Sequence, residues 1–210
     1  MFPNAAFISE FAKLVKETRE KLAVVTGGGA IAKAYVNSLK PEVANEFWLD
    51  TIGMKATEMN ALALVGIMKA NGVDAAFSGS IAHVEDALRL HNVAVTAGQI
   101  PGITTDTVAV LACEALGVNT LVNVSSVGYV YDRPPESKEA KRLRKISHGE
   151  LLELASKYDT REAKSAFVFD MLACKLAKRS NIEIRFVDSS IKNIRNALTD
   201  RKFEGTLVKD

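Results

Sequence analysis

Three loops and one acid carry residue types that chemistry needs. Gly27-Gly28-Gly29 follows a short apolar run and precedes a helical pattern. Glycines there leave backbone N–H groups open at the positive end of a helix dipole, with no side chain to block approach, which suits a phosphate. The same residues fit the dinucleotide fingerprint G-x-G-x-x-A through Gly27, Gly29 and Ala32. That fingerprint wants a second strand ending in an acid about 20 residues on, whereas 45–51 is a polar stretch bearing Trp48. A tight structural turn is the third reading, and all three stay open at this point.

The second loop, Ala97-Gly98-Gln99-Ile100-Pro101-Gly102-Ile103-Thr104-Thr105-Asp106, combines two glycines, a stiffening proline, two hydroxyls and an acid at a helix start. Thr104 or Thr105 can cap that helix, and the loop can equally wrap a small polar ligand with backbone groups. The third, 123–134, supplies Ser125, Ser126, Tyr129, Tyr131 and Asp132. Asp170 lies in the apolar pattern AFVFDMLACKLA, five residues before Lys175. A charge buried there needs a partner or a task; the plainer reading is a satisfied helix-start carboxylate. His83, His91 and His148 share no ligand-like spacing, so no metal site of protein ligands is expected.

Positioning these groups requires strands with turns at their carboxyl ends. Residues 22–26, 75–77, 93–97, 120–124 and 182–187 are short apolar, partly β-branched runs. They alternate with helical patterns over 30–39, 50–70, 106–116 and 166–179, after an amphipathic opening helix near 7–15. Such alternation predicts an α/β fold, a three-layer α/β/α sandwich with a mostly parallel sheet. Ligands bind beyond the carboxyl ends of such strands, which directs attention to the turns after Thr26, Ala97, Val124 and Val187. Residues 128–145 form the one long polar insertion, read as a solvated edge.

Composition bounds the rest. The chain has 210 residues, 48% hydrophobic and 25% charged, with 27 Lys+Arg against 25 Asp+Glu, so the net charge of +2 gives no phosphate-tracking surface and nucleic acid is not an expected partner. Cys113 and Cys174 sit far apart in apolar helical patterns, as small buried hydrophobes do. The longest nearly apolar stretch, 61–68, is too short to span a bilayer. The amino terminus has no basic segment followed by an apolar one, so a cytoplasmic protein without a membrane partner is expected.

The order of motifs is more specific than any one of them: VVTGGG, D-x-x-G-x-x-A-T-x-x-N-A-L-A-L, AGQIPGITTD, NVSSVGYVYD, VFDMLACKLAKRSNI, then EGTLV. It resembles the amino-acid kinase superfamily and, within it, uridylate kinases of the archaeal type, over nearly the whole chain. The resemblance implies one amino-acid kinase-like domain, with residues 1–118 serving the acceptor and 119–210 serving ATP. It implies transfer of the ATP γ-phosphoryl to UMP with magnesium, and a homo-oligomer, dimer or hexamer. By the same resemblance Gly28 and Gly29 match glycines near the UMP phosphate and the transferred phosphoryl, and Lys33 stands at a cationic position. Asp50 matches the acid that binds the nucleoside, with Gly53 and Thr57 completing its motif. Gly98, Gln99, Ile100, Pro101, Gly102, Ile103, Thr104 and Thr105 match the loop around UMP. Ser125 and Tyr131 match positions near the ATP base, and Asp170 matches the catalytic aspartate.

Departures from the family pattern bear on the same positions. The family opens with a Lys-bearing strand and a Gly-Gly-Ser loop, and Met1-Phe2-Pro3 begins where that loop would have ended. The family's V-D-G-V-Y reads Val127-Gly128-Tyr129-Val130-Tyr131, Pro134 stands where the family has an Asp, Ala163-Lys164 replaces Ala-Gly, and Glu58 replaces a frequent Arg. The expectation is therefore a UMP kinase, impaired in these 210 residues as they stand. The alternatives are a nucleotide-binding paralogue that has lost the chemistry, or a kinase of the superfamily with another small acceptor.

Overall fold

The computed structural model describes residues 4–158 and 169–210, which divide into two compact units, Met1–Leu116 and Gly117–Asp210. In the first, α1 (Ala5–Thr18) starts where the Asn4 side chain accepts the Phe7 N–H. Strand β1 (Leu22–Val25) then leads through the glycines into α2 (Gly29–Leu39). Helix α3 (Glu46–Ala70) begins four residues earlier than its periodicity predicts, because Asn45 caps it through the Phe47 N–H. Next come β2 (Ala75–Phe77), a 3₁₀ turn at Ile81–His83, α4 (Val84–Leu90), β3 (Val93–Thr96) and α5 (Thr105–Leu116).

The three strands run parallel in the order β1-β3-β2. On one face Ala75, Val93, Val95 and Ala97 pack with Ala12 and Val15 of α1 and Ala61, Leu64, Val65 and Met68 of α3. The intervening residues of β3, Ala94 and Thr96, are equally buried, and α4 and α5 pack against β3 and β1. With helices over both faces, β3 reads as an unbroken apolar run, as central parallel strands do.

The second unit contains β4 (Thr120–Val124), β5 (Val130–Tyr131), β6 (Arg142–Leu143), β7 (Lys145–Ile146), α6 (His148–Tyr158), α7 (Met171–Arg179), β8 (Glu183–Val187), α8 (Ile191–Leu198) and β9 (Gly205–Val208). Its sheet runs β4-β8-β9-β7, parallel except that β9 lies antiparallel to β8. Phe169 and Phe186 meet edge to face, 5.5 Å between ring centres, inside a core that includes Leu151, Ala173, Ile182, Ile184 and Ile194.

Three readings change. Residues 128–145 are not merely a solvated edge: β5 and β6 form an antiparallel ribbon, Tyr129 and Val130 are buried, and the Val130 N–H donates to Thr206 Oγ1. Strand β9 was not expected, since four residues with a leading glycine give little periodicity. Of the helix expected over 166–179, the described part starts at Met171, so Asp170 lies before the helix and not within it; Ala163, Lys164 and Ala166 fall outside the described residues. Cys113 and Cys174 are buried, and burial pushes the Cys113 thiol up to about 11. Among the described residues no helix is long and apolar enough to cross a membrane.

Candidate active site

In the first unit the glycine turn after β1 and the loop after β3 both lie at strand carboxyl ends, and α3 ties them together. Thr57 is the central anchor. Buried at 6% exposure, it accepts the Gly98 N–H on Oγ1 at 2.8 Å and donates the same hydroxyl to the Met54 carbonyl at 2.7 Å. Its own carbonyl accepts the Thr26 hydroxyl at 2.9 Å. A methyl group on Gly98 would stand 2.9 Å from Met54 Cγ and 3.1 Å from Thr57 Oγ1. One on Gly28 would overlap Ala32 Cβ and touch the Gly53 carbonyl and Thr57 Cγ2 at 3.5 Å. Gly98 is thus demanded by close packing on α3, and Gly28 by Ala32 in the first turn of α2. Gly29 is demanded by its backbone, with φ of +57°.

Two further anchors lie on α3. The exposed Asp50 carboxylate accepts the Gly102 N–H at 2.9 Å, where φ is +89°. Asn60 donates from Nδ2 to the Gly27 carbonyl at 2.7 Å. Positions 50, 57 and 60 are seven and three residues apart, close to whole turns, so they share one helix face. The loop also braces itself. Gln99 donates to the Ala97 carbonyl at 2.9 Å and to Thr96 Oγ1 at 3.2 Å, and accepts the Ile81 N–H at 2.9 Å. Thr104 is the cap of α5, its hydroxyl accepting the Asp106 and Thr107 N–H groups at 3.2 and 3.3 Å. Thr105 Oγ1 stands 3.8 Å from where a Gly27 Cβ would be, so the glycine turn and the second loop adjoin. Ile100 is exposed, and Pro101 and Ile103 are half-buried. Lys33 is exposed on α2.

The remaining candidates belong to the second unit and stand on separate elements. Ser125 Oγ, just after β4, accepts the Gly128 N–H at 3.2 Å, and φ of +70° at Gly128 lets it pass Asp188, whose N would lie 2.9 Å from a Cβ there. The Tyr131 hydroxyl accepts from Arg142 Nε at 3.2 Å. Beside it the Tyr129 hydroxyl donates to Glu204 at 2.7 Å under the Arg142 guanidinium, and that bond, with burial, raises the phenol above its ordinary range. The Lys141 N–H donates to Asp132 and holds its carboxyl low, burial opposing. Asp170 Oδ1 accepts the Leu172 and Ala173 N–H groups at 2.9 and 3.0 Å, capping α7.

Asp50, Thr57 and the glycines stand out in the sequence as site candidates; Thr26 stands out only as the end of a strand, and Asn60 and Thr96 do not stand out. Asn60 does sit in the quoted motif, a polar residue amid apolar neighbours three places after Thr57, and its partner lies 33 residues away.

The chain matches the sequence model of the Amino acid kinase family over residues 4–188. It is 34% identical over 212 residues to a uridylate kinase of Thermoplasma acidophilum, covering 99% of this chain and 90% of that one. A uridylate kinase of Thermoplasma volcanium is 31% identical over 209 residues, covering 99% and 91%. Among solved structures, the uridylate kinase of Archaeoglobus fulgidus superposes with a TM-score of 0.86 at 29% identity, covering 98% of this chain and 94% of that one. The UMP kinase of Bacillus anthracis, 19% identical, shares the fold with a TM-score of 0.75. With a family match over most of its length and relatives above 30% identity along nearly all of it, the chain belongs to the amino acid kinase family.

Proposed function

We propose that the chain is a nucleoside monophosphate kinase that takes UMP as acceptor and MgATP as donor. A UMP phosphate oxygen bonds to the γ-phosphorus while the bond to the ADP oxygen breaks, giving UDP and ADP. The observation that carries this reading is the pairing of the glycine turn with loop 98–105 on one face of α3. Phosphoryl transfer asks chiefly for positioning and charge neutralisation, which backbone groups locked on a rigid helix supply. On this reading Gly28 and Gly29 face phosphate. Asp50, Gly53, Thr57 and residues 98–105 form the acceptor side, within the part served by residues 1–118. Lys33 adds a cation. Ser125 and Tyr131 attend the donor, and magnesium arrives with the ATP phosphates. The name of the relatives supports UMP over other small acceptors.

Calorimetry with UMP, CMP and isopentenyl phosphate tests the acceptor: UMP is expected to bind tightest, and indifference among the three sinks the assignment. Asp170 is tested by Asp170→Asn. Asparagine caps helices as well as aspartate does, so α7 stays capped while the charge is lost. ADP release is expected to fall roughly a hundredfold or more with UMP affinity and thermal stability little changed. An unchanged rate would place the Asp170 charge outside the chemistry, whereas a parent chain that binds UMP but releases no ADP would favour the paralogue without chemistry.

We further infer self-association through the face of α3 opposite its anchors. Trp48, Met59 and Leu62, at 57%, 50% and 56% exposure, share that face, with Phe47 and Tyr35 also exposed. Exposed apolar rows of this kind mark interfaces. Light scattering should give a mass above one chain that falls toward a monomer in Leu62→Glu; a monomeric parent chain removes the inference.

A further inference from the structure

We propose that Asn60 is a positioning residue that sets the direction of the Gly28 N–H and thereby makes the glycine turn competent for phosphate, an inference that rests on the acceptor reading above. Three adjacent glycines let a backbone approach a ligand closely, but they also make that backbone the most pliable part of the chain. The peptide between Gly27 and Gly28 is flanked by glycine on both sides, so its plane rotates at little steric cost. Something outside the turn must hold it.

Asn60 does so. Its Nδ2 donates to the Gly27 carbonyl at 2.7 Å from a helix that is itself locked into the core through Ala61, Leu64 and Val65. Every peptide bond described is trans, and in a trans peptide the C=O and the next N–H point in opposite directions. Fixing the Gly27 carbonyl toward α3 therefore fixes the Gly28 N–H away from it. Gly28 is the cap residue of α2, an eleven-residue helix whose first-turn N–H groups have no intrahelical partner. The locked N–H thus joins a set of donors at the positive end of the dipole, aimed where an anion is stabilised.

The residue type is explained by the same geometry. The partner is a carbonyl, so the side chain must donate, and aspartate at this position would set two acceptors against each other. The other two anchors on this face hold N–H groups of the second loop and accept, Thr57 from Gly98 and Asp50 from Gly102. Asn60 is the anchor that donates, and it serves the glycine turn. Its role is to turn a pliable loop into a directed donor, without contact with the ligand.

The test is Asn60→Leu in the full chain, neutral and of similar size, with binding of UMP and of uridine measured side by side. Loss of one directed donor to a charged phosphate is expected to weaken UMP about tenfold and to leave uridine within about twofold, since uridine lacks the phosphate. The Gly27 carbonyl carbon and Gly28 amide nitrogen resonances of the ligand-free chain are expected to move as the bond is lost. Equal weakening of both ligands would mean a general structural defect and overturn the inference. So would unchanged UMP affinity, or unchanged resonances at Gly27 and Gly28. Failure of the acceptor reading looks different: the parent chain itself then does not bind UMP, and the inference falls with it.

Discussion

The two units solve the same problem, holding loops at strand ends, with different chemistry. In the first, the ties are short bonds from uncharged side chains to backbone: Thr57 to Gly98, Thr26 to the Thr57 carbonyl, Asn60 to Gly27, Gln99 to Ala97, with the Asp50 carboxylate as the charged member. In the second, neutral ties of the same kind, Asn193 to Glu204 and Thr206 to Val130, are joined by ionic ones. Arg185, 8% exposed in the middle of β8, donates to Glu183, to Asp200 and to the Ala197 carbonyl that ends α8. Lys209 of the chain after β9 adds a second cation to Glu183 at 2.9 Å. Tyr129, Glu204, Arg142 and Arg144 form a further charged group around the β5–β6 ribbon. Neutral ties keep their geometry with little dependence on pH or salt, which suits loops that must meet a phosphate. Ionic ties can weld a small sheet with a short antiparallel strand, but their strength depends on the state of every partner.

The largest expected effect breaks the second unit at its tightest crossing. A Cβ on Gly205 would overlap the Phe186 carbonyl across the β8–β9 pair, and φ there is +159°. Backbone cannot swing aside as a side chain can, so Gly205→Ala is expected to cost about 3 kcal/mol or more, read by denaturant unfolding. The matching change in the first unit, Gly98→Ala, meets the flexible end of Met54 and the Thr57 hydroxyl. It should cost nearer 1 kcal/mol but weaken UMP binding by displacing the loop. A larger stability loss at Gly98 than at Gly205 would reverse the contrast.

Next is Arg185→Ala. Removing this cation leaves Glu183, 14% exposed, with Lys209 alone and takes a donor from the end of α8. Breaking a buried pair from one side costs about 3 kcal/mol. The double change Arg185→Met with Glu183→Leu should recover much of that loss, because an apolar pair pays no desolvation penalty. If the double variant is no better than the single one, Arg185 acts through the Ala197 carbonyl and not through the ion pair.

Smaller again is Thr57→Val, which keeps the shape and removes the hydroxyl that accepts the Gly98 N–H. The expected cost is about 1 to 2 kcal/mol, with UMP affinity reduced roughly tenfold and uridine affinity reduced as well, since the loop and not the phosphate turn is disturbed. That last feature separates Thr57 from Asn60. Unchanged uridine binding would place the two anchors in one role.

The contrast between the units also marks what can be read from residues alone. The glycine turn and loop 98–105 were legible, because glycine, proline and threonine after a β-branched run are local signals. Strands β1 to β4 and β8 were legible for the same reason. Asn60, Arg185 and Gly205 were not, because each is defined by a partner remote in sequence: Gly27, Asp200 and Phe186. Asp170 shows the opposite limit. Its apolar neighbours read as helix on both sides, yet the described helix starts one residue later, in line with the plainer reading of a helix-start carboxylate, because an aspartate side chain that bonds two backbone N–H groups favours the cap over the interior.

Acid should separate the units with the least perturbation of all. Asp132, Glu150, Glu183 and Asp210 are carboxylates held below their ordinary range, and all four belong to the second unit. For Asp132, Glu150 and Asp210 the main cause is a backbone N–H donated to the ionised form, by Lys141, Ser147 and His148 in turn. For Glu183, burial pushes upward, and the bonds from Lys209 and Arg185 together outweigh it. A carboxylate whose folded value lies below its unfolded value releases its proton more readily in the fold. It therefore adds stability that is fully present above the unfolded value, near 4, and is lost as pH falls through the lower folded value. Amide exchange should show β8, β9 and the start of α6 losing protection as pH drops from about 5 toward 3, ahead of β3 in the first unit. The fluorescence of Trp48, the sole tryptophan and a residue of the first unit, should change later than the exchange at Phe186. Because Glu183 is shielded from solvent while the other three are open to it, added salt should weaken the effect at the start of α6 more than at β8. Loss of protection in β3 first, or in both units at one pH, would show that the ionic ties of the second unit are not what acid attacks.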